Sequence, residues 1–178
     1  PTNPSHFKYL KMKNKIKNIN LDIRDTNKLK KIFKSYKPNY VFHLAAQSLV
    51  RKSYREPINT WNTNVIGSLN VLEAAKLIDK KVSIVVVTTD KVYENNETGT
   101  LYSEEDKLGG HDPYSASKAA VELAIKSWRL SFCGNNPHQT PFLSVVTARA
   151  GNVIGGGDWS EDRLVPDSIK SLIKKTPI

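Results

Sequence analysis

Short apolar runs of strand length alternate along this chain with longer stretches of helical periodicity, and that alternation constrains the fold more than any other feature. Tyr40-Val-Phe-His-Leu-Ala-Ala46, Val82-Ser-Ile-Val-Val-Val-Thr88 and Pro141-Phe-Leu-Ser-Val-Val-Thr147 are runs of the buried-strand type. Ile19-Asn-Leu-Asp22 reads as the end of a fourth strand. Between these runs the apolar spacing changes to three and four residues. Leu29, Ile32 and Phe33 follow a capping Asp25-Thr26, and Pro38-Asn39 ends that helix. Pro57 opens a long helix through Trp61, Val65, Leu69, Leu72 and Ala75. Pro113 opens another through Ala120, Leu123, Ile125 and Trp128, and residues 167–175 form a last one. Residues 47–56 read as a polar loop with a helical turn. The order β-α-β-α-β-α-β-loop-α predicts an α/β fold with a parallel sheet and crossover helices on both faces. Residues 1–178 are expected to form a single, partial domain, with a distinct glycine-rich region from about residue 151.

Composition narrows the possible functions. With Cys133 as the one cysteine, neither an internal disulfide nor a thiolate metal cluster can form, and no metal site is expected. No apolar run approaches the ~20 residues of a membrane span, and the first residues lack the pattern of a secretion signal. A cytoplasmic protein without a membrane partner is expected. The net charge of +10 calls for an anionic partner or a solvated lysine surface. The lysines are spread from Lys8 to Lys37, and no arginine cluster with interleaved aromatics accompanies them, so nucleic acid is not expected. A phosphate-bearing small molecule suits such a field equally well. The chain starts on the loop-like Pro1-Thr-Asn-Pro4 and stops at Lys175-Thr-Pro-Ile178, just past a helical pattern; both ends are expected to be cuts through a longer protein.

Two short clusters carry reactive groups. Tyr114 and Lys118 lie four residues apart, on one face of the helix that Asp112-Pro113 opens. A lysine ammonium beside a phenol favours the phenolate, which makes Tyr114 an acid/base candidate. Thr89, Asp90 and Lys91 follow the Val82–Thr88 run, placing a hydroxyl, a carboxylate and an amine at a strand's carboxyl end, where parallel sheets hold their chemistry. The polar stretch 90–112, with Gly99, Gly109 and Gly110, is long for a structural loop. Ala150-Gly-Asn-Val-Ile-Gly-Gly-Gly-Asp-Trp159 lets the backbone approach a bound group closely, and Arg163 beyond it can pair with a phosphate. His43 reads as a buried strand histidine.

Together these residues resemble the extended short-chain dehydrogenase/reductase family. The likeness rests on Thr89-Asp90-Lys91, Tyr114-Ser-Ala-Ser-Lys118, Asp22-Ile23, His43-Leu-Ala-Ala-Gln47, Asn64-Val-Ile-Gly-Ser-Leu-Asn70 and Arg149-Ala-Gly-Asn-Val153, which cover most of the chain in the family's order. It implies a Rossmann-type, doubly wound parallel sheet in three αβα layers. The family's Gly-x-x-Gly-x-x-Gly loop is not in this sequence, so the chain is expected to lack the first βαβ segment and the C-terminal substrate lobe, and tight NAD binding or turnover is not expected of it alone. The triplet with an acid in the middle resembles the nucleotide-sugar 4,6-dehydratase group, and the Gly155–Trp159 loop and Gly109-Gly110 resemble its CDP-glucose branch.

That likeness implies NAD as cofactor, CDP-glucose as substrate and a redox-neutral loss of water to a 4-keto-6-deoxy sugar. The family's mechanism is carried over as follows. Tyr114 takes the 4-hydroxyl proton, Thr89 hydrogen-bonds the developing oxyanion, Lys91 or a nearby group takes the C5 proton, and Asp90 protonates the departing 6-hydroxyl. Lys118 lowers the tyrosine pKa and holds the ribose. Asp22, Ile23, Leu44, Ala45, Ala46, Gln47, Asn64, Thr88, Tyr114, Lys118 and Ala150 would contact the cofactor. Gln47, Thr89, Asn152, Asp158, Trp159, Arg163 and Leu164 would contact the nucleotide sugar. A homodimer through the Pro57 and Pro113 helices is implied for the full-length protein. UDP-N-acetylglucosamine and dTDP-glucose 4,6-dehydratases, a 4-epimerase and a non-catalytic NAD-binding module are the alternatives.

Overall fold

Val82–Val87 is the middle strand of a parallel three-stranded sheet and the element around which the rest is built. The computed structural model describes residues 3–99, 101–136 and 139–177. In chain order the elements are α1 (His6–Tyr9), α2 (Thr26–Tyr36), β1 (Tyr40–His43), α3 (Val50–Arg55), α4 (Pro57–Trp61), a π-helical segment (Asn62–Ile66), α5 (Gly67–Ala75), β2 (Val82–Val87), a 3-10 turn (Asp90–Val92), α6 (Pro113–Phe132), β3 (Leu143–Ala148) and α7 (Leu164–Lys174). The sheet order is β1-β2-β3. Tyr40 pairs with Ser83 and His43 with Val86 on one side; Val82 pairs with Leu143 and Val87 with Ala148 on the other.

Leu21–Gly151 forms one compact unit, and the segments through Asn20 and from Asn152 make up a second. In the first unit the strand period of two sets the core. Val82, Ile84 and Val86 of β2 and Leu143 and Val145 of β3 are buried against Leu29 and Phe33 of α2, Val71, Leu72, Ala74 and Ala75 of α5, and Val121 and Ile125 of α6. Helices thus cover this face of the sheet; on the opposite face Tyr40, Phe42 and Val146 are exposed. In the second unit, α1 is capped by the Ser5 hydroxyl, α7 runs from Leu164, and Gly157, at φ +87°, backs onto the His6 ring where a Cβ would collide.

Helix starts follow the caps. The Asp25 carboxylate accepts from Lys28 N at 3.0 Å and opens α2. Pro57 and Pro113 each stand in the first turn of their helices. Two expectations need correction. Residues 17–22 form no ladder and so are no strand; Leu21 and Ile23 pack against the core instead, and Asn70 Nδ2 donates to Ile23 O at 3.1 Å. A strand needs a partner edge, and here side-chain packing and the Asn70 amide hold the segment. The second departure is in the Pro57 helix, which is continuous in direction but passes through the π-segment at Asn62–Ile66.

Leu72 is fully buried at the centre of the core. Leu72→Ala is expected to lower unfolding free energy by about 3 kcal/mol, through lost transfer energy and the residual cavity, as read from the urea midpoint at unchanged m-value.

Candidate functional site

Strands β1, β2 and β3 end at His43, Val87 and Ala148, and the reactive groups gather just past these carboxyl ends. Helix α6 brings the first cluster. The Asp112 side chain accepts from Tyr114 N at 2.9 Å and Ser115 N at 3.0 Å, and takes the Ser115 hydroxyl at 2.5 Å. Ser53 Oγ accepts a further bond from Tyr114 N at 3.2 Å. Gly110, at φ +132°, lies so close to this first turn that a Cβ would come within 2.6 Å of Ala116 N. Tyr114 and Lys118 are both buried on the same helix face. Lys118 Nζ donates to Val87 O at 2.9 Å, the last carbonyl of β2. Burial lowers the Lys118 pKa to about 8, against the raising pull of the Glu122 carboxylate.

Thr88, Thr89, Asp90 and Lys91 leave β2 as an extended residue pair followed by a 3-10 turn. Thr88 donates to Glu122 Oε1 at 2.5 Å. Thr89 donates to Asp90 Oδ1 at 3.0 Å and caps the turn by accepting from Lys91 N. Lys91 Nζ pairs with the same Asp90 oxygen at 3.2 Å, and both side chains are well exposed to solvent. Asp90 N donates to Ala150 O at 3.0 Å, so the triplet is fastened to the end of β3.

His43 is a core residue. Ser68 donates its hydroxyl to Asn64 O at 2.5 Å, so the 2.9 Å contact between His43 Nε2 and Ser68 Oγ has the ring nitrogen as donor. Burial first, and then the Lys118 charge, lower the His43 pKa to about 4, which keeps the imidazole neutral. Asn64 is also buried. Its Oδ1 accepts from Gln47 N at 2.8 Å; its Nδ2 donates to Gln47 O at 3.1 Å and to Ser117 Oγ at 2.9 Å. This one amide ties the loop after β1 to the π-segment and to α6.

Of the expected cofactor contacts, Ala45 is exposed and Ala46 half-buried just past β1, while Leu44 is 66 % exposed. Asp22 is exposed and gripped by Arg24 Nε and Nη2, whose hydrogen bonds lower its pKa to about 2. Ile23 lies over Gly67, where a Cβ would come within 2.5 Å of Ile23 Cδ1. Thr88, Gln47, Asn64, Tyr114, Lys118 and Ala150 belong, with these, to the unit that carries the triplet. Asn152, Asp158, Trp159, Arg163 and Leu164 belong to the second unit. There Asp158 Oδ1 accepts from Ser160 N at 3.0 Å, which holds its carboxyl below the usual range; Arg163 Nε is buried without a hydrogen-bond partner among the described residues, and Leu164 is exposed.

Sequence reasoning left Glu122 out and gave Arg149 and Ser117, though they stand in its motifs, no role of their own. The buried Glu122 carboxylate takes Thr147 Oγ1 at 2.9 Å and Arg149 Nη2 at 3.3 Å in addition to Thr88. Its spacing was legible, since 122 continues the four-residue interval of 114 and 118, while its burial was not. Among the described residues no group of His, Cys, Asp or Glu could hold a metal ion, and no helix is long and apolar enough to cross a membrane.

Comparison with known proteins fixes the family. Residues 2–134 match the family described as GDP-mannose 4,6 dehydratase, and the chain belongs to that family. It is 43% identical over 172 residues to the CDP-glucose 4,6-dehydratase of Salmonella typhimurium, covering 97% of this chain and 48% of the relative. It is 31% identical over 186 residues to the dTDP-glucose 4,6-dehydratase of the same organism, covering 85% and 52%. The structure of DesIV, a dTDP-glucose 4,6-dehydratase from Streptomyces venezuelae with NAD and TYD bound, superposes with a TM-score of 0.73 at 28% identity, over 87% of this chain and 44% of that one. The Rossmann-type fold and the dehydratase resemblance expected from the sequence are borne out. The chain spans about half the length of the curated relatives it matches.

The buried lysine gives a pH signature. Its folded pKa lies below the ordinary 10.5, so between about 8 and 10.5 the unfolded chain holds a proton that the folded chain has released. Stability then rises with pH across that window and is flat below it. The unfolding free energy of wild type minus that of Lys118→Met is expected to grow by on the order of 3 kcal/mol between the two ends of the window, measured by urea titration at each pH.

Proposed function

We propose that this chain carries the catalytic centre of a nucleotide-sugar 4,6-dehydratase that takes CDP-glucose to CDP-4-dehydro-6-deoxyglucose and water, with NAD as cofactor. The observation that carries this reading is a Thr-Asp-Lys triplet fastened between the ends of β2 and β3 while Lys118, one helical turn after Tyr114, reaches the last carbonyl of β2. A simple reductase or a 4-epimerase has use for the threonine, tyrosine and helical lysine but none for Asp90 and Lys91. The identity to a CDP-glucose 4,6-dehydratase supports the same substrate.

The residues present suit two parts of a dinucleotide. Asp22, ionised down to a pH of about 2, offers an acceptor for the donors of an adenosine, with Ile23 beside it as an apolar wall. Ala45 and Ala46 leave room at the end of β1, and Lys118 stands beneath Tyr114 for the ribose next to the nicotinamide. NAD, when bound, accepts a hydride and later returns it, so the cycle is redox-neutral.

The protons move on this chain's own groups. The Tyr114 phenolate, favoured by the Lys118 ammonium, takes the proton of the sugar 4-hydroxyl. The Thr89 hydroxyl turns from Asp90 to donate to the oxygen left behind. The 4-keto group then acidifies the C5 hydrogen, which Lys91 takes as a free amine. Asp90, released by Thr89 and Lys91 and protonated, gives its proton to the 6-hydroxyl, which leaves as water. Asn152, Asp158, Trp159, Arg163 and Leu164 bind the nucleotide sugar, Arg163 through its diphosphate. The whole protein works in the cytoplasm, where the lone Cys133 fits a reducing compartment. It assembles as a homodimer, a reading supported by exposed Ile58 and Trp61 on α4 and Leu123 and Leu130 on α6.

The test supplies the full-length protein that contains this chain with NAD+ and, in parallel, CDP-glucose, dTDP-glucose and UDP-N-acetylglucosamine. The 4-keto-6-deoxy product is expected from CDP-glucose, with no net accumulation of NADH. Consumption of another sugar nucleotide in its place moves the substrate assignment to that branch. Asp90→Ala and Lys91→Ala are each expected to slow elimination by about 100-fold or more; wild-type rates in both would remove them from the roles of acid and base.

A further inference from the structure

We propose that Glu122 is a positioning residue for this reaction, its buried carboxylate holding the ends of β2 and β3 at one fixed distance from the Tyr114–Lys118 face of α6. The proposal rests on the dehydratase reading above and concerns a residue that touches neither substrate nor cofactor in it.

Residues 114, 118 and 122 lie on one helix face, each about 6 Å along the axis from the last. The first two carry the acid/base pair. The third is 5 % exposed at its side chain and spends both carboxylate oxygens on the sheet. Oε1 takes the Thr88 hydroxyl from the end of β2 at 2.5 Å; Oε2 takes the Thr147 hydroxyl from β3 at 2.9 Å and the Arg149 guanidinium just beyond it at 3.3 Å. A buried carboxylate persists in such a place only when donors and a counter-charge surround it.

Two paths lead from this carboxylate to the triplet. Thr89 is extended, at φ −149° and ψ 157°, and successive side chains of an extended chain point to opposite sides. Fixing the Thr88 hydroxyl against α6 therefore fixes the opposite heading of Thr89. On the other path Arg149 precedes Ala150, whose carbonyl holds Asp90 N at 3.0 Å. Arg149 also donates to Tyr93 OH at 3.0 Å and Glu104 O at 3.1 Å, and its guanidinium stands 4.9 Å from the centre of the Tyr93 ring, so the same ion pair anchors the loop beyond the triplet. Thr89, Asp90 and the loop are thus all tied to the Tyr114–Lys118 helix through the Glu122 carboxylate, beside the direct bond from Lys118 to Val87 O. A displacement of about 1 Å between reacting groups costs as much as 100-fold in rate.

The experiment uses the full-length protein that contains this chain, as Glu122→Gln and as Thr147→Val, with CDP-glucose and added NAD+, together with amide hydrogen exchange in the absence of substrate. Glu122→Gln keeps the side chain's shape but removes the charge and one acceptor. It is expected to lower kcat about 10- to 100-fold with KM unchanged, in protein whose circular dichroism shows it folded. Thr147→Val is expected to move kcat the same way by less. The amides of Thr88 and Asp90, bonded to Ala148 O and Ala150 O, are expected to exchange at least about 10-fold faster while those of Val82–Val86 stay as in wild type. Unchanged kcat in folded variants of an active wild type overturns the proposal, whatever the exchange shows, and so does unchanged exchange at residues 88 and 90. If wild type consumes no sugar nucleotide, the dehydratase reading fails separately and the exchange comparison alone decides whether Glu122 holds the strand ends. If Glu122→Gln does not fold, Thr147→Val decides in both measurements.

Discussion

A lysine ammonium buried under the last carbonyl of the central strand is the interaction that joins this fold to its chemistry. Lys118 Nζ meets Val87 O, and Val87 belongs to the strand that both neighbours pair with. Placing a cation there is costly, and the cost appears as a pKa lowered by burial. The charge in turn dictates the state of its surroundings. It helps keep the His43 imidazole neutral, so that His43 serves as a hydrogen-bonded core residue. It also stands one helical turn after Tyr114, on the same buried face of α6.

The other elements present this pair to one place. Parallel pairing of β1, β2 and β3 gathers three carboxyl ends on the same edge, with Ala45, Thr89 and Ala150 just past them. Helix α6 enters at the same level because its first turn is held four ways: by the Asp112 cap, by Pro113, by Ser53 from α3, and by the close backbone pass at Gly110. Asn64 closes the arrangement from below, since its amide bonds at once to the Gln47 backbone and to Ser117 of α6.

The sequence made the strands and helix starts legible where the signals are local. Pro57, Pro113, Asp25 and Asp112 act within one turn of themselves, and the β-branched run of β2 needs no distant partner to be read. The failures are non-local. Ile19–Asp22 has strand-like residues, but strand formation is decided by a neighbour that the residues themselves do not name. Glu122 looks like an ordinary exposed helix carboxylate four residues past a lysine. Its burial is set by Thr88 and Thr147, thirty-four and twenty-five residues away in the chain. The Thr89-Asp90-Lys91 triplet was readable as types in order, while the fastening of Asp90 N to Ala150 O was not, because a backbone bond leaves no mark in composition.

The π-segment at Asn62–Ile66 carries a consequence for how this family can vary. A wider turn holds one more residue than the α-helix around it needs, and it absorbs that residue within a single turn. Removing one residue there would restore a regular helix and leave α5 nearly in phase with α4, so Val71 and Leu72 would keep their place in the core. The loss would be local: Asn64 would leave Gln47 and Ser117. The core can accept either length, whereas the amide that ties the loop after β1 to α6 needs the wider turn. The length of the chain between Trp61 and Gly67 is therefore as much a part of the site as any side chain in it.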